Sequence, residues 1–87
     1  MKLLVAILRA KDTDSVLTAL IEADFGVTHI ASTGGFLRQG NATLLIATDE
    51  DRVQAAMNVI REAASPPDEN QRRATVFVLN LEEFEKL

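Results

Sequence analysis

The amino-acid sequence predicts one small α+β domain in which a four-stranded antiparallel sheet carries two helices on one face. The chain has 87 residues and 47% hydrophobic residues, which is enough for one core. Four short apolar segments have the length and composition of strands, and two segments between them repeat apolar residues at helical spacing. The resulting order is β-α-β-β-α-β, which is the ferredoxin-like arrangement.

The first half of the chain supplies three strands and a helix. Residues 2–9 (KLLVAILR) form an apolar run that is too short for a buried helix and is typical of a strand. Residues 12–15 offer N-capping side chains, and the apolar residues after them share one helical face, so we expect a helix to about Asp24 that a Phe-Gly pair ends. Residues 27–33 and 42–48 are predicted as strands joined by a glycine-containing loop.

The second half supplies the other helix and the last strand. Thr48 and the aspartate three positions later have the spacing of a capping box, which predicts a helix that continues to Ala64. The Ser-Pro-Pro that follows ends it, and residues 68–73 (DENQRR) are predicted as a polar linker. Residues 74–79 (ATVFVL) form the last predicted strand, and residues 82–87 are expected to add one helical turn.

Composition excludes several classes of protein. Nine basic against thirteen acidic residues give a net charge of −4, which is the wrong sign for a general nucleic-acid binder, and Trp and Tyr are absent. Without cysteine there is neither a disulfide nor a thiolate site. The apolar N-terminus is too short for a membrane span, so we expect a cytoplasmic protein without membrane contact. No cofactor is predicted.

Few side chains suggest catalysis or metal binding. The single histidine, His29, lies in a predicted strand and has no evident nucleophile or further ligands beside it, so a structural role is favoured. The acidic residues cluster at helix starts and in the tail, where helix dipoles and solvation explain them. The sequence therefore predicts no catalytic residue and no metal site.

The predicted sheet has an unusual second face. Leu3, Val5 and Ile7 alternate with equally apolar residues in the first strand, and the last strand is apolar on both sides as well. An exposed apolar sheet face is unfavourable for a monomer. We therefore predict that other copies of the chain cover it.

Residues 33–41 (TGGFLRQGN) are the most informative segment. Its three glycines permit backbone conformations in which N–H groups converge on an anion. Arg38 offers a charged donor for phosphate, Phe36 a ring face for a base, and Asn41 a donor and acceptor for a base edge. A hairpin loop whose Phe36 packs at a subunit contact explains the same residues. The segment matches neither a P-loop nor a dinucleotide-binding fingerprint.

The stretch VTHIASTGGFLRQGNATLLIATDEDRV, with the opening MKLLVAIL and the closing ATVFVLNLEEFEKL, resembles the PII-like cyclic di-AMP receptor family of bacteria. The resemblance runs nearly end to end and is most distinctive over TGGFLRQGN and the TLLI that follows. It implies a PII-like homotrimer with a ligand pocket at each subunit interface. It also implies a signalling role, without enzymatic activity, through loops that reorder on ligand binding and act on an unidentified protein target.

The resemblance also assigns roles to residues. It implies that Thr28 and Asn41 hydrogen-bond an adenine edge, that residues 35–37 line the base and ribose, and that Phe77 is a pocket aromatic. With the phosphate donor from the loop, the predicted ligand-binding residues are Thr28, Gly35, Phe36, Leu37, Arg38, Asn41 and Phe77.

Three departures separate this chain from other receptor members. Gly26 replaces an arginine expected near the ligand, Ala47 replaces a glycine, and the polar connection over 65–73 is much shorter. A lost charge-assisted hydrogen bond costs about 1.5–3 kcal/mol, or one to two decades of affinity.

Two alternatives to a cyclic di-AMP receptor follow from these departures and from the fold. One is a trimeric regulator of the same family that has lost the ligand and acts through protein contacts of residues 34–40 and 65–73. The other is an acylphosphatase-like hydrolase that uses Arg38 and Asn41. The arginine-bearing turn that such an enzyme needs after its first strand is not found in residues 9–15 (RAKDTDS).

Overall fold

The computed structural model describes residues 1–30, 41–67, 74–85 and 87, and its elements follow the predicted order. A short 3-10 turn precedes each helix, over Ala10–Asp12 and Glu50–Arg52. The strands and helices are β1 (Lys2–Arg9), α1 (Thr13–Glu22), β2 (Gly26–Ile30), β3 (Asn41–Thr48), α2 (Val53–Ala63) and β4 (Ala74–Asn80).

The four strands form one antiparallel sheet in the order β2-β3-β1-β4, which confirms the ferredoxin-like prediction. Residues directly opposite one another in such a sheet share a face. One row of four opposed residues therefore lies on one side of the sheet, and the row two positions further along each strand lies on the same side. The first is Gly26, Ala47, Leu3 and Leu79, and the second is Thr28, Leu45, Val5 and Phe77. We call this side the open face.

Both helices pack on the opposite face, as predicted. The even-numbered residues of β1 from Leu4 to Leu8 are fully or almost fully buried there, together with their neighbours on β3. Each helix contributes one apolar stripe to this core because its apolar residues recur at helical spacing. The helix residues in the core are Val16 and Leu20 of α1 and Ala56 and Ile60 of α2.

Helix α1 begins at Thr13, within the predicted capping segment 12–15, but the predicted side-chain capping of the two helices was wrong. Thr48 is the last residue of β3 and is buried opposite Lys2, so it does not lie at the start of α2. Neither Asp49 nor Arg52 makes a side-chain capping bond, because a 3-10 turn leads into the helix. Asp12 precedes α1 without capping it, because its carboxylate is engaged by other partners described below.

The helical turn predicted over 82–87 was also wrong for the part of it that the structure describes. Residues 82–85 have no regular secondary structure. Three of these four residues are glutamates, and the segment has no apolar stripe that a helix could bury. It continues instead as an irregular chain that begins where the amide of Leu81 donates to the carbonyl of Met1 at 3.1 Å.

The connection from α1 to β2 is tightly specified. Asp24 adopts the left-handed conformation (φ 70°), and the amide of Phe25 donates to the carbonyl of Leu20 at 2.9 Å. The guanidinium of Arg52 lies 4.1 Å from the centre of the Phe25 ring and donates to the carbonyl of Ala23 at 3.0 Å. A cation over an aromatic ring and a bonded helix end both stabilise this corner, which fixes where β2 begins.

Candidate functional site

A cavity of about 430 Å³ lies against the open face of the sheet. Its floor comes from β1, β2 and β3, and one wall comes from the irregular segment after β4. The described residues that line it are Leu3, Gly26, Val27, Thr28, Leu45, Ala47, Leu81, Phe84 and Glu85.

Cross-strand pairing places two small residues side by side in the floor of the cavity. Gly26 pairs with Ala47, which in turn pairs with Leu3, so the two smallest side chains of the floor are neighbours. Thr28 and Leu45 form the adjoining pair. Two small residues side by side leave room above the sheet that larger side chains would fill.

The cavity lining is mostly apolar. Thr28 supplies a hydroxyl, Glu85 a carboxylate, and Phe84 an aromatic ring that is 49% exposed. Among the described lining residues there is no Lys, Arg or His. An apolar cavity with an aromatic ring and one hydroxyl is suited to a planar ring, whereas a phosphate needs cationic or N–H donors.

Gly26 has space for a side chain. A Cβ placed on Gly26 would have no heavy atom within 4 Å, its chain neighbours aside. The residue lies in regular β2 and is exposed, so the backbone conformation accepts any side chain. The absence of a side chain at this position is therefore not imposed by packing.

Of the three predicted ligand residues that the structure describes, one lines the cavity. Thr28 lines it, while Phe77 is 53% exposed on the same face but on β4. Asn41 is the first residue of β3 and lies opposite Arg9. Four further predicted residues lie outside the described part of the chain, and they are Gly35, Phe36, Leu37 and Arg38.

Comparison with known families now adds to this geometry. Residues 1–71 match the cyclic-di-AMP receptor family. The chain belongs to the cyclic-di-AMP receptor family. The match covers the first three strands, both helices and the TGGFLRQGN segment, so the resemblance seen in the sequence is confirmed.

A solved structure supports the fold of this receptor-family chain over nearly its whole length. It is the crystal structure of a functionally unknown protein from Pediococcus pentosaceus ATCC 25745, with 34% sequence identity and a TM-score of 0.79. The match covers 99% of this chain and 96% of the other. Neither described helix is both long and apolar enough to cross a lipid bilayer.

Two positions that the family resemblance singled out lie together in the cavity. Gly26 and Ala47 are opposed residues of β2 and β3, and both line it. Ala47 therefore brings a methyl group to the cavity floor beside Gly26, which brings no side chain.

Sequence reasoning missed the wall of the cavity. Phe84 and Glu85 belong to the segment predicted as a helical turn, Leu81 directly precedes it, and nothing in the spacing of these residues indicates contact with β2. The one signal available was an isolated Phe among glutamates, which is unusual for a solvated tail.

Proposed function

We propose that this chain is a non-enzymatic signalling receptor that binds cyclic di-AMP, or a related adenine nucleotide, between the subunits of a homotrimer. Membership of the cyclic-di-AMP receptor family supports the ligand class. The observation that carries the proposal is the cavity, because Thr28, to which the family resemblance assigns a ligand contact, lines it beside the small residues Gly26 and Ala47.

The cavity is proposed to take an adenine base. Its apolar floor and the Phe84 ring provide surfaces for a planar heterocycle, and the hydroxyl of Thr28 can donate to a ring nitrogen or accept from the exocyclic amine. The phosphates are proposed to lie outside the cavity, toward Arg38 and the glycine-rich segment 33–41. Gly35, Phe36, Leu37 and Asn41 are proposed to complete the contacts.

The spacing of two predicted ligand residues supports the proposal of a site between subunits. Thr28 on β2 and Phe77 on β4 are three strand spacings apart, which is about 14 Å at ~4.8 Å per strand. One adenine ring cannot span that separation. An adenine ring that contacts both residues is therefore proposed to take Thr28 from one copy and Phe77 from another.

The open face supports association of copies. Three of its large apolar side chains are about half exposed, and they are Ile30, Phe77 and Leu79. Burying such a face would remove apolar area from water at about 25 cal/mol per Å². We propose that the homotrimer covers it, and that ligand binding is relayed to a protein target through residues 34–40.

The charge of the cavity favours a second candidate, in which the trimer has lost cyclic di-AMP and acts through protein contacts. Glu85 lines the cavity, and the arginine of other receptor members is replaced by Gly26. Among the described lining residues a dianionic ligand would meet this carboxylate and no guanidinium, which weakens binding.

Calorimetry of the full chain with cyclic di-AMP separates the two candidates. We expect saturable heat with cyclic di-AMP and none with cyclic di-GMP at equal concentration. No heat at ~100 μM ligand, which corresponds to a binding free energy weaker than about −5.5 kcal/mol, would favour the ligand-free regulator. Sedimentation of the same samples reports the mass, and a pull-down that retains a protein without nucleotide would support the second candidate directly.

A further inference from the structure

A buried ionic cluster of Arg9, Asp12 and Ser65 lies at the end of β1, away from the cavity. Arg9 Nε donates to Asp12 Oδ2 at 3.1 Å, and Ser65 Oγ donates to Asp12 Oδ1 at 2.5 Å. The terminal nitrogens of Arg9 donate to the backbone carbonyl of Ser65 and, at 3.1 Å, to that of Pro66. The cluster therefore ties the end of β1 and the start of α1 to the chain that leaves α2.

The pair at the centre of the cluster is held ionised although it is removed from water. Arg9 is 4% exposed and Asp12 is 3% exposed. Burial acts to raise the pKa of Asp12, but the hydrogen bonds from Ser65 and the positive charges of Arg9 and Lys11 outweigh it, and the pKa lies below its usual value. Both carboxylate oxygens accept a hydrogen bond, so the geometry of the three side chains is fixed.

Stability alone is a weak explanation for such a cluster. Apolar residues of similar volume often replace a buried ion pair at no cost to stability, whereas an ionic network imposes one arrangement on the groups that it joins. What distinguishes this cluster is the geometry that it imposes on the backbone of Ser65 and Pro66 relative to β1.

The cluster lies beside the ends of two strands, because Arg9 is itself the last residue of β1 and is paired with β3. Arg9 and Asn41 are the last opposed pair of β1 and β3, and Leu8 pairs with Ala74 at the start of β4. Terminal pairs of a ladder normally fray. Here one member of the pair is buried and held by side-chain bonds to another part of the chain, so the start of β3 is fixed as well.

We propose that the Arg9–Asp12–Ser65 cluster is a positioning unit that sets the orientation of Asn41 and couples it to the chain leaving α2. The part of this inference that concerns ligand affinity rests on the proposed function, in which Asn41 contacts an adenine. The part that concerns the position of Asn41 does not. Ser65 is not among the described residues that line the cavity, and the proposed effect runs through Asp12 and Arg9.

NMR of the full chain without ligand tests the positioning role. Ser65→Ala removes the donor to Asp12, Ser65→Thr restores a hydroxyl, and Asn58→Ala removes an exposed hydrogen bond to Arg61 as a matched control. We expect the backbone and side-chain amide signals of Asn41 to shift in Ser65→Ala, to return toward the wild-type positions in Ser65→Thr, and to stay in place in Asn58→Ala. Should Ser65→Ala not fold, Arg9→Lys keeps the charge and loses the guanidinium fork, and the same shift is expected.

Titration of the same variants with cyclic di-AMP completes the test. We expect Ser65→Ala to weaken binding about fivefold, with recovery in Ser65→Thr and no change in Asn58→Ala. If the Asn41 signals do not move in Ser65→Ala, the inference is overturned even if affinity falls, because the loss of affinity would then not come from the position of Asn41. If the wild type does not bind cyclic di-AMP, the proposed function fails, while the Asn41 signals still decide the positioning role.

Discussion

Thr28 and Phe77 lie in one cross-strand row of the open face, separated by Leu45 and Val5. The row runs from the edge strand β2 to the edge strand β4, so the two residues occupy opposite margins of one apolar surface. Thr28 and Phe77 of one chain are too far apart to contact each other. Each lies on an edge strand, where it can face a second copy of the chain.

Gly26→Arg is expected to strengthen binding of cyclic di-AMP. The position is open and extended, so the substitution should leave the unfolding midpoint unchanged, and the guanidinium would add a charged donor beside the ligand. We expect about tenfold tighter binding by calorimetry, the equivalent of ~1.4 kcal/mol. Gly26→Gln, which is long but uncharged, is the control. Equal dissociation constants for the two variants would show that charge at this position is not what limits affinity.

Glu85→Gln is expected to strengthen binding of the dianionic ligand by removing a carboxylate from the cavity wall. Glu85 is exposed, so solvent screens the repulsion, and we expect a gain of about two- to fivefold at low salt that shrinks as salt is added. Glu82→Gln is the matched control, because Glu82 is exposed on the same segment and is not among the cavity-lining residues. A gain of the same size in the control would assign the effect to net charge alone.

The ionised Asp12 predicts an acid-dependent part of the stability. Its pKa is lowered in the folded state from an ordinary value of 3.8, so the folded chain binds fewer protons than the unfolded chain in that range. The stabilisation is therefore present above pH 3.8 and is lost as the pH falls through the lowered pKa.

Asp12→Asn tests this contribution by urea unfolding at several pH values. At neutral pH the variant leaves Arg9 buried without its counter-charge, and we expect a loss of about 3–5 kcal/mol. Below pH 4 the difference between wild type and variant should narrow, since acid neutralises the same carboxyl in the wild type. A difference that stays constant down to pH 2 would contradict an ionised Asp12.

Local patterns predicted the elements of the fold well, and long-range contacts explain what they missed. The run from Lys2 to Arg9 is a strand over its whole predicted length because apolar character on both faces suits a central strand. Thr48 satisfied a capping pattern locally, yet pairing with Lys2 extended β3 through it. The long-range pairing of the two strands therefore outweighed the short-range capping pattern, and the sequence pattern alone does not reveal that pairing.

The candidate site was predicted in part. Thr28 was expected from the family resemblance and lines the cavity, and Gly26 and Ala47 were noted as departures without any indication that they are opposed residues. Phe84 and Glu85 line the cavity because an irregular segment carries them there, and the spacing of residues in a sequence does not predict the course of such a segment. The charged partners of Asp12 were likewise hidden, because Ser65 is 53 residues away along the chain.

The central claim, that each ligand site takes Thr28 from one copy and Phe77 from another, is tested most directly by mixing two defective chains. Thr28→Val and Phe77→Ala are each expected to weaken cyclic di-AMP binding when assembled alone. In a mixed trimer, one interface combines the intact Thr28 of one chain with the intact Phe77 of the other. Co-refolded mixtures should therefore regain sites of wild-type affinity in calorimetry. Mixtures that bind no better than either variant alone would contradict the shared site.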